Sequence, residues 1–156
     1  MIMNKIGIKK EKADLLAEKL NELLANYQVY YMNVRGLHWN IKGDNFFELH
    51  LKFEEQYNDL LIKVDEIAER ILTLGEEPLH TYTNYLSISE IKEIKGVSNG
   101  KEGIKSILDA FKILITKQRE ILSLAGEAED EGTNALMSDY IREQEKLVWM
   151  YNAYIS

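Results

Sequence analysis

The chain has 156 residues, 46% hydrophobic and 29% charged, with a formal net charge of −7. That size and balance suit one folded domain with a sizeable core and exclude a disordered chain, and the acidic charge argues against a surface made for nucleic acid. Cysteine is absent and proline occurs once, at Pro78, which removes disulfides, thiolate chemistry and Cys-based zinc sites.

Residues 1–156 read as a single domain in which 1–10 form a short N-terminal tail, with helical pattern taking over from about Lys9. The opening MIMNKIGIKKEK lacks the continuous apolar stretch of a secretory signal, and no later run is long enough to span a bilayer. A cytoplasmic protein with no membrane contact is expected. From Lys12 to His38, Leu16, Leu20, Leu23, Tyr27, Tyr30, Val34 and Leu37 recur on one helical face. The segment NIKGDN breaks that pattern, with Gly43 and Asp44 as turn and cap residues. A second helix carries Phe46, His50, Phe53, Tyr57, Leu60, Val64, Ile67 and Ile71 on one seam, and Gly75 with Pro78 ends it.

The connection from Glu76 to Gly100 is too long for a turn. Ser87 and Glu90 have capping-box spacing ahead of IKEI, which predicts one short helix there. A third long helix is expected from about Lys101 to Ala128, and a fourth after EDEGT, carrying Met137, Tyr140, Ile141 and Tyr151 inward. Strand alternation is missing throughout. The expected class is all-α: two helical hairpins in a ferritin-like four-helix bundle, with a short extra helix in the central crossover.

Two of the three histidines flank the first turn, His38 before it and His50 after it, so an antiparallel hairpin sets them face to face. Neutral imidazoles in that arrangement are favoured metal ligands. On the second helix Glu54 follows His50 by one turn, and Asp65 and Glu69 follow one turn apart. Glu54 and Asp65 point within about 20° of each other yet lie about 16 Å apart along the axis, and His50 lies roughly 28 Å from Glu69. One copy cannot gather these groups at one metal. Two copies can: an antiparallel twofold near Asp59 and Leu60 sets Glu54 against the partner's Asp65 and His50 level with the partner's Glu69. Two histidines with carboxylates suit iron, manganese or zinc, and the spacing alone selects none of them. The usual di-iron pattern of Glu-x-x-His on two helices of one subunit is absent, because Glu77 and His80 enclose Pro78 and no histidine follows.

The run GLHWNIKGDNFFELHLKFEEQYNDLLIKVDEIAERILTLGEEP resembles the signature region of the Dps family, the DNA-binding proteins from starved cells. Chain length, the short crossover helix and Trp149 in the last helix extend the resemblance over the whole chain. It implies a hollow homo-oligomeric shell of twelve subunits. There Fe(II) is oxidised to Fe(III) by hydrogen peroxide or oxygen at twofold interfaces, in a site with room for two metals, and is stored as ferric mineral. It implies ferroxidase activity that protects against oxidative stress, with iron as the metal and no organic cofactor. By this resemblance His38, His50 and Glu54 come from one subunit, and Asp65 and Glu69 from its partner. Glu54 stands where many members carry Asp. Trp39 matches a family tryptophan and is read either as a radical sink or as a packed interface aromatic. Asp130 and Asp139, in the acidic turn before the last helix, are the candidates for a threefold iron pore, against the plainer reading of acids at a helix N-terminus. DNA binding is not expected, since Lys5, Lys9, Lys10 and Lys12 are offset by Glu11 and by the acidic whole. The alternative function is a shell that sequesters metal without catalysis, or a nucleoid DNA-binding protein.

Overall fold

The computed structural model describes residues 1–156, in five helices: α1 (Lys10–Asn40), α2 (Phe46–Leu74), α3 (Tyr82–Ile88), α4 (Gly100–Glu127) and α5 (Glu131–Ile155). The four long helices form two hairpins, α1–α2 and α4–α5, and α3 rides in the crossover between them. No extended strand forms, and the class is all-α as the periodicity predicts. The apolar seams meet in one cluster of 33 buried residues that runs through all four long helices. On α2, Phe53, Leu60, Ile67 and Ile71 are fully buried, whereas His50, Tyr57 and Val64 flank them half-exposed. The hydrophobic seam thus carries the histidine to the edge of the core.

The turns follow local chemistry. Gly75 adopts φ +102°, and the Glu76 N–H closes back on the Ile71 carbonyl, the left-handed stop expected of glycine there. At the start of α2 the cap position belongs to Asn45, itself left-handed at φ +65°, and not to Asp44. Residues 1–9 do not hang free. The Asn4 side chain accepts the Ile6 and Ile8 N–H groups and donates to the Leu74 carbonyl, while the Lys10 N–H reaches the Ile2 carbonyl.

The short helix lies earlier than the Ser87–Glu90 spacing predicts. Thr81 caps it, accepting the Asn84 N–H, and Ser87 sits inside it. The IKEI stretch is not helical, because α1 takes its backbone groups. Asn26 Oδ1 accepts from Ser89 Oγ and from the N–H groups of Glu90 and Ile91. Asn33 accepts from the Ile94 N–H and donates to the Lys92 carbonyl, and Asn21 ties down Glu77 and Leu79 in the same way. Asn26 and Asn33 outcompete the local capping box because each satisfies backbone groups that would otherwise be orphaned.

The middle of the bundle is polar and closed. Tyr27 donates its hydroxyl to Gln118, Gln118 donates to Gln144, and Gln144 donates back to the Tyr27 oxygen, linking α1, α4 and α5. All three are buried, and burial raises the Tyr27 hydroxyl pKa far above its usual value. This neutral ring of bonds fills the bundle centre with groups that satisfy one another, and none of them is a carboxylate.

Candidate metal site

His38 sits in the last turn of α1 and His50 in the second turn of α2. Their rings stack with centroids 3.8 Å apart and planes 13° from parallel. Each Nδ1 lies at hydrogen-bond distance from the other residue's backbone carbonyl: 2.6 Å from His38 Nδ1 to the His50 oxygen, and 2.7 Å from His50 Nδ1 to the His38 oxygen. A carbonyl only accepts, so both Nδ1 atoms carry the proton and donate, and in the neutral rings both Nε2 atoms present a lone pair. The His38 carbonyl is among the last of α1, which have no partner within the helix, so the bond also satisfies a helix end. Phe46 stacks on His50 at 5.0 Å, and the edge of Tyr57 meets His38 at 5.3 Å, fixing both rings from outside. Two imidazoles locked in one tautomer and orientation have the preorganisation that metal ligation requires.

Glu54, half-exposed one turn along α2, joins no ion pair within the chain. Asp65 and Glu69 are exposed further down the same helix. The Asp65 carboxyl raises the Glu69 pKa above the usual glutamate value, through a shared hydrogen bond first and charge repulsion second. The chain therefore assembles two pairs, histidines at one end of α2 and acids toward the other, and does not bring them together. No cluster of three or more metal-ligating side chains forms within a single copy. Glu77 and His80 stand exposed outside any helix, with His80 Nδ1 3.6 Å from Glu77 Oε1.

The α2 face that carries Glu54, Asp65 and Glu69 also exposes Phe47, Leu51, Leu61, Ile62 and Leu72, each more than half open. A stripe of that composition is unusual on a surface helix unless something covers it. Trp39 is 57% exposed and lies under the Arg35 guanidinium, 4.8 Å from its ring centre. Arg35 itself, one turn before His38, escaped the sequence reading; its spacing from His38 was the available signal.

The two pore candidates part company. Asp130 is buried at the start of α5, where its carboxylate accepts the Thr133 N–H and hydroxyl and pairs with Arg70 at 2.6 Å. Gly132 leaves room beside it: a Cβ there would fall 2.8 Å from the Arg70 guanidinium nitrogens, so the arginine tip would have to shift. Asp130 is thus a cap and an inter-helix tie, with no free oxygen face. Asp139 is exposed on α5 and pairs only with Arg142, three residues on.

Comparison with known proteins agrees with the fold. The family described as the ferritin-like domain matches residues 17–156. The chain is 58% identical over 153 residues to an uncharacterised protein of Haemophilus influenzae, covering 98% of this chain and 96% of that one. It is 44% identical, with the same coverage, to the DNA protection during starvation protein of Porphyromonas gingivalis. The crystal structure of the Dps protein of Vibrio cholerae O1, described as one of a broad superfamily of ferritin-like diiron-carboxylate proteins, superposes with a TM-score of 0.98. It is 57% identical, covering 100% of this chain and 98% of that one.

Two helical hairpins packed as a four-helix bundle, together with the family match over residues 17–156, make this a ferritin-like protein. Within that class the chain belongs to the Dps family. Membership supports an iron-binding, iron-storing role. No helix is long and apolar enough to cross a membrane.

Proposed function

We propose that this protein is a Dps-type ferroxidase and iron store, a shell of twelve identical subunits whose twofold interfaces each hold two symmetric iron sites. The observation that carries the reading is the histidine pair, locked with both Nε2 atoms available yet without a carboxylate pair of its own chain in reach. The exposed α2 stripe supports it from the other side. An antiparallel partner centred near Asp59 and Leu60 covers that stripe, sets Phe47 against the partner's Leu72, and supplies the partner's Asp65 and the partner's Glu69 to His38, His50 and Glu54.

Iron is the substrate here. Two ferrous ions each give up one electron, the O–O bond of hydrogen peroxide breaks, and two waters form with the uptake of two protons. The carboxylates stabilise the ferric product, and the imidazoles bind ferrous iron as neutral ligands. Oxygen is the slower oxidant in this reading. Trp39, exposed beside the site, is the ring placed to intercept radicals that escape. Asp139 takes the pore role alone. The cytoplasm is the proposed location, and DNA is not a partner. Adding ferrous iron anaerobically, then peroxide, tests the reading. Consumption of about one peroxide per two irons, lost in His38→Ala, is expected; binding without peroxide consumption would leave a sequestering shell instead.

A further inference from the structure

α2 turns a second face toward α5, distinct from the exposed apolar stripe. Lys52, Gln56, Asp59, Lys63, Glu66 and Arg70 follow one another at spacings of four and three, so they share one side of the helix. None is apolar, where the seam between two helices of a bundle ordinarily is. Ties to α5 run along it: Arg70 to Asp130, Glu66 to the Tyr140 hydroxyl, and Lys63 to Glu143. Lys63 is the only buried lysine of the chain, 4% exposed. Its ammonium lies 2.7 Å from Asp59 Oδ2 and 2.9 Å from Glu143 Oε2, and 5.1 Å from the centre of the Tyr140 ring. Both carboxylates are half-exposed and neither pairs with another cation. A groove of about 390 Å³ opens beside them between α2 and α5.

Carboxylates from facing helices that converge on one point are what a bundle uses to hold a divalent cation. Here an ammonium takes that point. A divalent ion needs its carboxylate oxygens at about 2.0–2.2 Å, a contraction of less than about 1 Å from where Lys63 holds them. Removing Lys63 would leave two negative charges facing each other across an open groove, a strong attraction for a dication. Lys63 is tethered, so it fills the place without the translational entropy that a free ion gives up on binding. Paired with two carboxylates, the buried ammonium also keeps its charge compensated.

We propose that Lys63 is a built-in counter-cation that closes an intrasubunit divalent-metal position between α2 and α5, and so excludes iron from the bundle. Only the destination of the excluded iron, the shared sites, rests on the reading above. Lys63 is a specificity residue, since it touches neither iron nor oxidant. Its surroundings give the exclusion a purpose. Gln144, a member of the buried ring with Tyr27 and Gln118, lines the same groove, and all three histidines lie elsewhere. Iron held between Asp59 and Glu143 would meet peroxide without an imidazole ligand and beside the Tyr140 ring.

Anaerobic Co(II) titration of assembled His38→Ala protein, followed by visible absorption and calorimetry, tests this with the shared sites removed from the count. With Lys63 in place it is expected to bind no tight ion. Adding Lys63→Ser should create one bound ion per subunit, with apparent affinity raised roughly tenfold or more, and a further Glu143→Gln should abolish it. Lys63→Arg, which keeps the charge, should bind none. A merely structural role would lower the stability of the Ser variant and create no ion site. Lys63→Gln is expected to gain the ion too, and stands in where the Ser variant fails to assemble. Assembled Ser and Gln variants that take up no further Co(II) would overturn the assignment. So would a tight ion in His38→Ala that Glu143→Gln removes, a measurement that leaves Lys63 untouched. Co(II) that survives His38→Ala and ignores Glu143→Gln counts against the shared site instead, and the increment on removing Lys63 still decides the role of Lys63.

Discussion

His38 and His50 each donate Nδ1–H to the other's backbone carbonyl, so two residues twelve apart in sequence set one another's tautomer across the first hairpin. The pair is complete inside one chain, whereas Asp65 and Glu69 stand toward the far end of α2. Under the proposed function, activity is therefore tied to assembly.

Mixed shells test that tie. Neither His38→Ala nor Asp65→Ala alone should oxidise iron rapidly with peroxide. Dissociated and reassembled together, they should regain activity at roughly a quarter of all sites, because each interface joining the two variants holds one intact site. Timed peroxide-driven oxidation of verified mixed shells measures it, and activity no higher than either parent's would refute the intersubunit site.

The α2 stripe should be needed for the shell. Ile62 is 61% exposed in the single chain, and Ile62→Arg places two like charges near the twofold axis. Sedimentation should show twelve subunits for wild type and smaller species for the variant, with helical content retained. A wild type that stays monomeric would remove the basis for the site.

The closed ring of Tyr27, Gln118 and Gln144 should be costly to open. Gln118→Leu leaves the Tyr27 hydroxyl and the Gln144 amide without their partners, a loss of about 1–3 kcal/mol for each buried group left unsatisfied. Thermal or urea unfolding reads the effect, and unchanged stability would mean that the neighbouring groups find new partners.

Asp130 and Asp139 should separate stability from iron traffic. Asp130→Ala removes the α5 cap and leaves Arg70 unpaired, destabilising the chain by about 3–5 kcal/mol. Asp139→Asn should leave the unfolding curve unchanged and slow iron uptake into the shell. An Asp139→Asn protein that mineralises at the wild-type rate would end its candidacy as a pore residue.

At physiological salt the protein should not retard duplex DNA. Each subunit carries a net charge of −7, and residues 1–9, with two of the lysines, are folded back against α1 and α2 instead of forming a free basic arm. A gel shift at neutral pH decides it. Retardation that vanished on deleting the first dozen residues would show that the segment peels away.

The amino-acid sequence alone determined the four long helices, the hairpin that faces His38 with His50, and the ligand spacing along α2. Each of these depends on helical period and short connections, which are local properties. The tertiary structure decided what depends on groups far apart in the chain. Asn26 and Asn33 claim the backbone of residues 89–94, so the crossover helix forms earlier than its capping box predicts. Arg70 reaches Asp130 and turns a surface acid into a buried tie. Arg35, an ordinary cation in the sequence, comes to lie among three aromatic rings with no acid of its own. Periodicity tells which face of a helix is buried, but only packing tells which polar group has found its partner.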